Sequence, residues 1–248
     1  MIDMFSYLLG KRGNSSGSDE AAFEAGKKAE RDAFWEVFQR GGTRTNYSAA
    51  FSRGSFNYDN FYPKYDIAPT GDATQLFYDW TYGNCKGSLK QRLEECGVRL
   101  DTSKCSSLIN SFAYTSMTEI PTIDLSGITA SNGTQGMFSN GWDNLIAIEK
   151  IIVAETTPFN NNTFQYDRGL INVIFEGVIG QNGLDLHWSN KLSHDSLMSI
   201  INCLSKTTSG LTVTLSKEAV NNAFDGGSTG AEWLALIATK SNWTISLV

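Results

Sequence analysis

Three phenylalanines, Phe112, Phe138 and Phe164, stand 26 residues apart, in the contexts NSF, GMF and NTF. Each is followed by a polar turn and then by a β-rich run: Met117 to Ile123, Leu145 to Ile151 and Leu170 to Phe175. A fixed period constrains a chain more than its composition does, because so short a unit cannot bury its own apolar side and must stack on its neighbours. Leu211 to Leu215 and Trp243 to Val248 alternate in the same style. Thr74 to Trp80 reads as an imperfect first unit, and Ser88 to Cys96 as a helical insert behind it.

The period falls within the roughly 20–29 residues of leucine-rich-type repeats. The expected fold class is therefore α+β: an N-terminal helix and extended anchor, then a short, irregular leucine-rich-repeat-like β-solenoid over residues 66–248 with a helical C-terminal cap. Phe112, Ile120, Phe138, Ile148, Phe164 and Ile174 are its expected core. Three late segments carry helical spacing. Ser193 to Leu204 has Ser193 or Asp195 as its N-cap, and Lys217 to Phe224 and Thr229 to Thr239 follow it as shorter helices.

Ahead of this domain the chain divides into three. Residues 1–18 join an apolar tip, with Met4, Phe5, Tyr7, Leu8 and Leu9, to a Gly/Ser-rich stretch, which is the composition of a docking peptide on a flexible tether. Residues 19–42 form an amphipathic helix that ends at Gly41-Gly42, with Ala22, Phe23, Gly26, Ala29, Ala33, Phe34, Val37 and Phe38 recurring at three- and four-residue steps. Phe23, Phe34, Val37 and Phe38 form the candidate oligomer seam, and the sequence leaves open whether it packs on its own chain or on sister copies. Residues 43–65 are an aromatic linker with Tyr47, Phe51, Phe56, Tyr58, Phe61, Tyr62 and Tyr65, rings that must be covered by something.

Charge and motifs narrow the function classes. A formal charge of −6 with no dense basic run disfavours binding through nucleic-acid phosphates. No apolar run reaches the roughly 18 residues of a membrane-spanning helix, and the N-terminus lacks a signal-peptide pattern. The four cysteines, Cys85, Cys96, Cys105 and Cys203, have spacings of neither metal knuckles nor a disulfide framework and read as reduced, mostly buried thiols. His187 and His194 are the only histidines, and no third ligand stands at metal spacing. His194-Asp195-Ser196 sets three triad residue types side by side, but neighbours at a helix start do not reach triad geometry. No phosphate-binding glycine motif is present, and nothing selects a glycosidase pair among the carboxylates. The expectation is no catalytic residues, no metal and no cofactor.

Three stretches carry a resemblance. MIDMFSYLLGKR resembles the short leader of phage tail and fibre proteins. AERDAFWEVFQRGGTRTNYSAAFSRGSFNYDNFYPKYDIAPT resembles the helix and aromatic linker of a family of bacteriophage virion proteins with surface-antigen-type leucine-rich repeats, from phages of gut Gram-positive bacteria. IFEGVIGQNGLDLHWSNKLSHDSLMSIINCLS, with LTVTLSKEAV after it, resembles the family's closing repeat and cap. The resemblance implies a non-enzymatic virion structural protein, assembled in the host cytoplasm and exposed on the particle surface. It implies a tail-fibre or baseplate-associated receptor-binding protein whose N-terminus meets other virion proteins. It also implies a homo-oligomer, with a trimer expected by family habit, and a host-surface glycan or protein as partner. A head fibre or capsid decoration protein is the alternative, and a bacterial surface adhesin the second.

Overall fold

The computed structural model describes residues 17–52, 60–80 and 87–248, with side chains from residue 24 onward. The anchoring residues Met4, Phe5, Tyr7, Leu8 and Leu9 lie outside the described residues, as do Phe56, Tyr58 and Cys85. In chain order the elements are α1 (Gly17–Phe38), β1 (Gly71–Asp72), β2 (Gly87–Ser88), α2 (Leu89–Cys96), β3 (Cys105–Ser107), β4 (Met117–Ile120), β5 (Ile123–Asp124), β6 (Ala147–Val153), β7 (Asn172–Gly177), β8 (Asp185–Leu186), α3 (His194–Cys203), β9 (Leu211–Leu215), α4 (Lys217–Ala223), α5 (Ala231–Ala238) and β10 (Trp243–Leu247).

The expected class is corrected. Strand pairing among the described residues is parallel, in three separate sheets: β1-β3, β2-β4-β6-β5 with β7 also on β6, and β10-β9-β8. Parallel neighbours need a crossover between them; from β3 to β8 the chain makes these crossovers through turns and loops, and α2, α3, α4 and α5 stand between strands before and after that run. Over its described residues the molecule is α/β with five helices, not an α+β leucine-rich-repeat-like β-solenoid. The C-terminal part is not a purely helical cap either. It runs β8–α3–β9–α4–α5–β10 and holds a parallel sheet of its own.

The period of phenylalanines has a direct physical expression. Phe51, Phe77, Phe112, Phe138 and Phe164 are fully buried and stack in one line, with centroids 5.1, 5.5, 5.6 and 5.2 Å apart and planes tilted 20–23°. The backbone repeats with the rings. The N–H of Phe51 donates to Leu76 O, that of Phe77 to Ser111 O, that of Phe112 to Met137 O and that of Phe138 to Thr163 O, at 2.7 to 3.0 Å. Each N–H thus meets the carbonyl just ahead of the next ring, and turns that would otherwise bury unpaired amides satisfy one another.

The start of the stack is closed by α1 and the segment after it. Trp35, Phe51, Phe61, Phe77 and Trp80 meet mostly edge to face, at 5.1 to 6.1 Å. Tyr47, Phe51 and Phe61 are fully buried here, so the aromatic stretch forms the first layer of the body. Gln39, also fully buried, donates to Tyr65 O at 2.7 Å and accepts from Lys64 N and Tyr65 N at 2.7 and 3.0 Å. The residues of the candidate oligomer seam divide. Phe34 and Phe38 pack on the chain's own core, while Val37 is 79% exposed, and Gly26, Ala29 and Ala33 are exposed with it. Trp35 and Gln39, one turn apart, set the buried face; the side chain of Phe23 lies outside the described residues.

At the far side the β7 edge of the central sheet is finished by a helix. On α3, Ser196 Oγ accepts from Val173 N at 3.0 Å and donates to Ile171 O at 3.1 Å, and one turn later Ser199 Oγ accepts from Phe175 N at 3.2 Å. Two hydroxyls thereby take the place of a further strand at an edge that would otherwise be open. Ser193 is the N-cap of α3, with its hydroxyl accepting from Ser196 N. Ile120 and Ile148 are buried with Phe112, Phe138 and Phe164. Ile174 is not part of that core. Val173 and Phe175 point inward on β7, which turns Ile174 outward at 36% exposure.

Candidate functional site: an outward aromatic row

Two residues after four of the stacked phenylalanines the backbone takes a left-handed turn: Asp79 (φ 58°), Tyr114 (φ 54°), Asn140 (φ 61°) and Tyr166 (φ 65°). Trp142 does the same, at φ 52°. Such angles cost an L-residue roughly 1–2 kcal/mol, and short polar side chains such as Asn and Asp tolerate them best. Asp79 and Asn140 need no further reason. Tyr114, Trp142 and Tyr166 are poor choices for the backbone, so their rings carry the explanation for their presence.

Two of those rings face outward, Tyr114 at 43% and Trp142 at 46% exposure, and Tyr166 is half-buried beside Trp142. Trp142 and Tyr166 lie parallel, centroids 5.6 Å apart and planes 10° from coplanar, and Trp188 continues from Tyr166 at 4.5 Å. Tyr78 and Tyr114 form a second pair, edge to face at 5.6 Å. His187 adds its ring 4.7 Å from Trp188 and is held by Asp185, whose Oδ1 meets the imidazole Nδ1 at 2.6 Å and the His187 N–H at 3.0 Å.

The support beneath Trp142 is close-fitting. Gly169 N donates to Trp142 O at 2.8 Å, and a Cβ on Gly169 would come within 2.7 Å of the Asp143 backbone. Gly141 N donates at 2.8 Å to Asp167 Oδ1, and a Cβ on Gly141 would meet that same oxygen at 2.8 Å. Both glycines therefore stand where backbone and carboxyl approach too closely for any side chain. Asp167 is fully buried, and burial pushes its pKa well above the ordinary carboxylate range. Among the described residues its Oδ2 has no hydrogen-bond partner, nor do the buried Ser189 Oγ and Asn190 Oδ1.

The rim of the row is polar. Arg168 is exposed and holds its guanidinium over the Trp188 ring at 5.5 Å. Lys191 reaches Asp143 at 3.5 Å, both of them solvent-facing, and Asn190 Nδ2 donates to Glu218 at 3.1 Å. Aromatic rings bordered by donors and acceptors of both charges can make apolar and hydrogen-bonded contacts with a ligand.

Other residues singled out by sequence fall elsewhere. His194 bonds Glu232 through Nε2 at 2.8 Å, which raises its basicity, and the Ser196 hydroxyl serves the β7 edge, so His194, Asp195 and Ser196 form no relay. Cys105 is buried, its thiol pushed up to about 12 by desolvation, and Cys96 and Cys203 are half-buried free thiols. Among the described residues no three His, Cys, Asp or Glu side chains gather as metal ligands, and no helix is long and apolar enough to cross a membrane.

The outward aromatics were missed by sequence reasoning, although a signal for them existed. Tyr114 and Tyr166 each stand two residues after a periodic phenylalanine, and Trp142 stands four after one. The chain matches no protein-family model, no curated protein and no solved structure.

Proposed function

We propose that this chain is a non-enzymatic structural protein of a bacteriophage virion, a tail-fibre or baseplate-associated adhesion protein that offers its outward aromatic row to the host-cell surface. One observation carries the adhesive part of the reading: Tyr114, Trp142 and Tyr166 occupy left-handed turn positions that cost stability, with Tyr114 and Trp142 open to solvent. The virion part is supported by the sequence resemblance of the leader, the helix with its aromatic stretch, and the segment from Ile174 to Ser205. In this reading Met4, Phe5, Tyr7, Leu8 and Leu9 join the particle and the body projects from it. Weak single contacts are multiplied by several copies on one particle.

Gold labelling of intact particles with an antibody against residues 66–248, together with competition of purified protein for phage adsorption, tests this. Label at the tail tip and blocked adsorption are expected. Label on the head would make the chain a head fibre or decoration protein, and absence of label from purified particles would overturn the virion assignment. A chain lacking residues 1–18 that still enters particles normally would remove the anchoring role of the N-terminus.

A further inference from the structure

We infer that Trp142, Tyr166, Trp188 and Arg168 form a saccharide site for an anionic glycan, a sugar chain carrying carboxylate or phosphate groups. The inference rests on the adhesive reading above and names the ligand of that row.

The rings set the shape of the ligand. Trp142, Tyr166 and Trp188 follow one another at 5.6 and 4.5 Å, a narrow strip of aromatic rings with Trp142 its most open member, suited to an extended chain of flat units. Sugar rings present C–H faces to such a strip and turn their hydroxyls to its sides. The sides here are polar: Asp143 and Lys191 lie at the Trp142 end, and His187 with Asp185, Asn190 and Arg168 lie about Trp188. A protein partner anchored on these rings would call for an apolar, desolvated centre with the polar groups outside it. Nucleic acid would call for a track of cations, in a chain whose formal charge is −6.

Arg168 sets the charge of the ligand. Lys150, Lys191 and Arg99 each meet a carboxylate, at 2.6, 3.5 and 3.2 Å, whereas among the described residues the Arg168 guanidinium meets only the Trp188 ring. An exposed planar fork without an anionic partner, steadied on an indole, is prepared for a bidentate oxyanion.

Titration of the full chain with three probes, followed by tryptophan fluorescence and calorimetry, tests the inference: hexagalacturonate for carboxylate, a ribitol-phosphate wall polymer for phosphate, and maltohexaose as the neutral control. Binding of at least one anionic probe is expected, weakening with salt. Trp142→Ala and Arg168→Gln should each reduce it at least tenfold, with thermal melting showing both variants folded. Arg168→Lys should recover less than half of the loss, because an ammonium does not reproduce the fork. Failure of both anionic probes to bind, equal binding of maltohexaose, or unchanged affinity in Arg168→Gln would each overturn the anionic-glycan assignment. The two readings separate cleanly. Protein that blocks adsorption equally well with and without Trp142→Ala keeps the adhesive role and removes this site. Glycan binding by a protein missing from particles keeps the site and removes the virion role.

Discussion

The inner and outer sides of the same turns use the same kinds of residue to opposite ends. Inside, five phenylalanines repeat without substitution, all fully buried and all within 5.1 to 5.6 Å of the next. Outside, two positions further on, the residue is Asp79, Tyr114, Asn140 or Tyr166, and only the left-handed backbone is constant. The inner position is dictated by packing, where one ring size fits the gap between layers and nothing smaller fills it. The outer position is dictated only by a backbone angle that Asn or Asp meets more cheaply. A tyrosine there is not required by the fold, which separates residues that hold the molecule together from residues that the molecule holds out.

The strongest test of this contrast is Phe112→Ala, in the middle of the stack between Phe77 and Phe138. Removing a fully buried ring should cost about 3–5 kcal/mol in chemical denaturation. A loss below about 1 kcal/mol would show that the layers are held by their backbone ladder and not by the rings. Next in size is Ser196→Ala, which probes where the inner region ends. Val173 N–H would lose its side-chain acceptor at the β7 edge, an expected cost of about 1–3 kcal/mol for a buried amide left unpaired. Faster hydrogen exchange confined to Val173 and its neighbours would accompany it.

Asp167 lies on the border between the two sides, and its prediction is one of sign. Burial raises its native pKa above the ordinary value of 3.8, which makes it a weaker acid. The native state therefore keeps a proton that the unfolded chain gives up. The stability tied to this group is fully present below the unfolded value and is lost as pH rises toward the native one. Asp167→Asn has no proton to lose and keeps an acceptor for Gly141 N–H. Its melting temperature relative to the parent chain should therefore climb from pH 4 to pH 7. A difference that stays flat across that range would mean that the carboxyl is ionised and partnered in the native protein.

How far the sequence reveals this arrangement depends on what kind of signal each feature leaves. Phe112, Phe138 and Phe164 are legible because equal spacing survives in one dimension, and the runs that become β6, β7, β9 and β10 are legible by composition. Phe51 and Phe77 share the same spacing with each other, but α2 and its flanks stretch the step from Phe77 to Phe112 to 35 residues, and the stack looks three rings long when it is five. Strand partners leave no such trace, so parallel pairing, and with it the α/β class, is not visible in alternation alone. In Leu170 to Phe175 apolar residues stand on both parities, and nothing but the fold decides that Val173 and Phe175 turn inward and Ile174 outward. Trp35 is hidden for a related reason. The periodic stripe of α1 runs along its full length, whereas among its described side chains only Trp35 is fully buried, on a face rotated toward Trp35 and Gln39.

The smallest expected effect bears most directly on the outer row. If Tyr114 is kept for its ring, its backbone should still prefer glycine to alanine, because φ is 54° and the side chain is partly open to solvent. Tyr114→Gly and Tyr114→Ala both remove the contact with Tyr78 and both keep the N–H that bonds Ser139 O at 2.9 Å. They differ in left-handed strain, which favours glycine, and in unfolded-chain entropy, which favours alanine. Strain is the larger of the two, so the glycine variant should be the more stable by about 0.5–1 kcal/mol. At Ile174, also outward-facing but on an extended strand, the order should reverse by a similar amount, since glycine in a strand costs about 0.5–1 kcal/mol relative to alanine. The same order at both positions would mean that the turn relaxes around a smaller side chain, and Tyr114 could then no longer be read as a ring held against the preference of its own backbone.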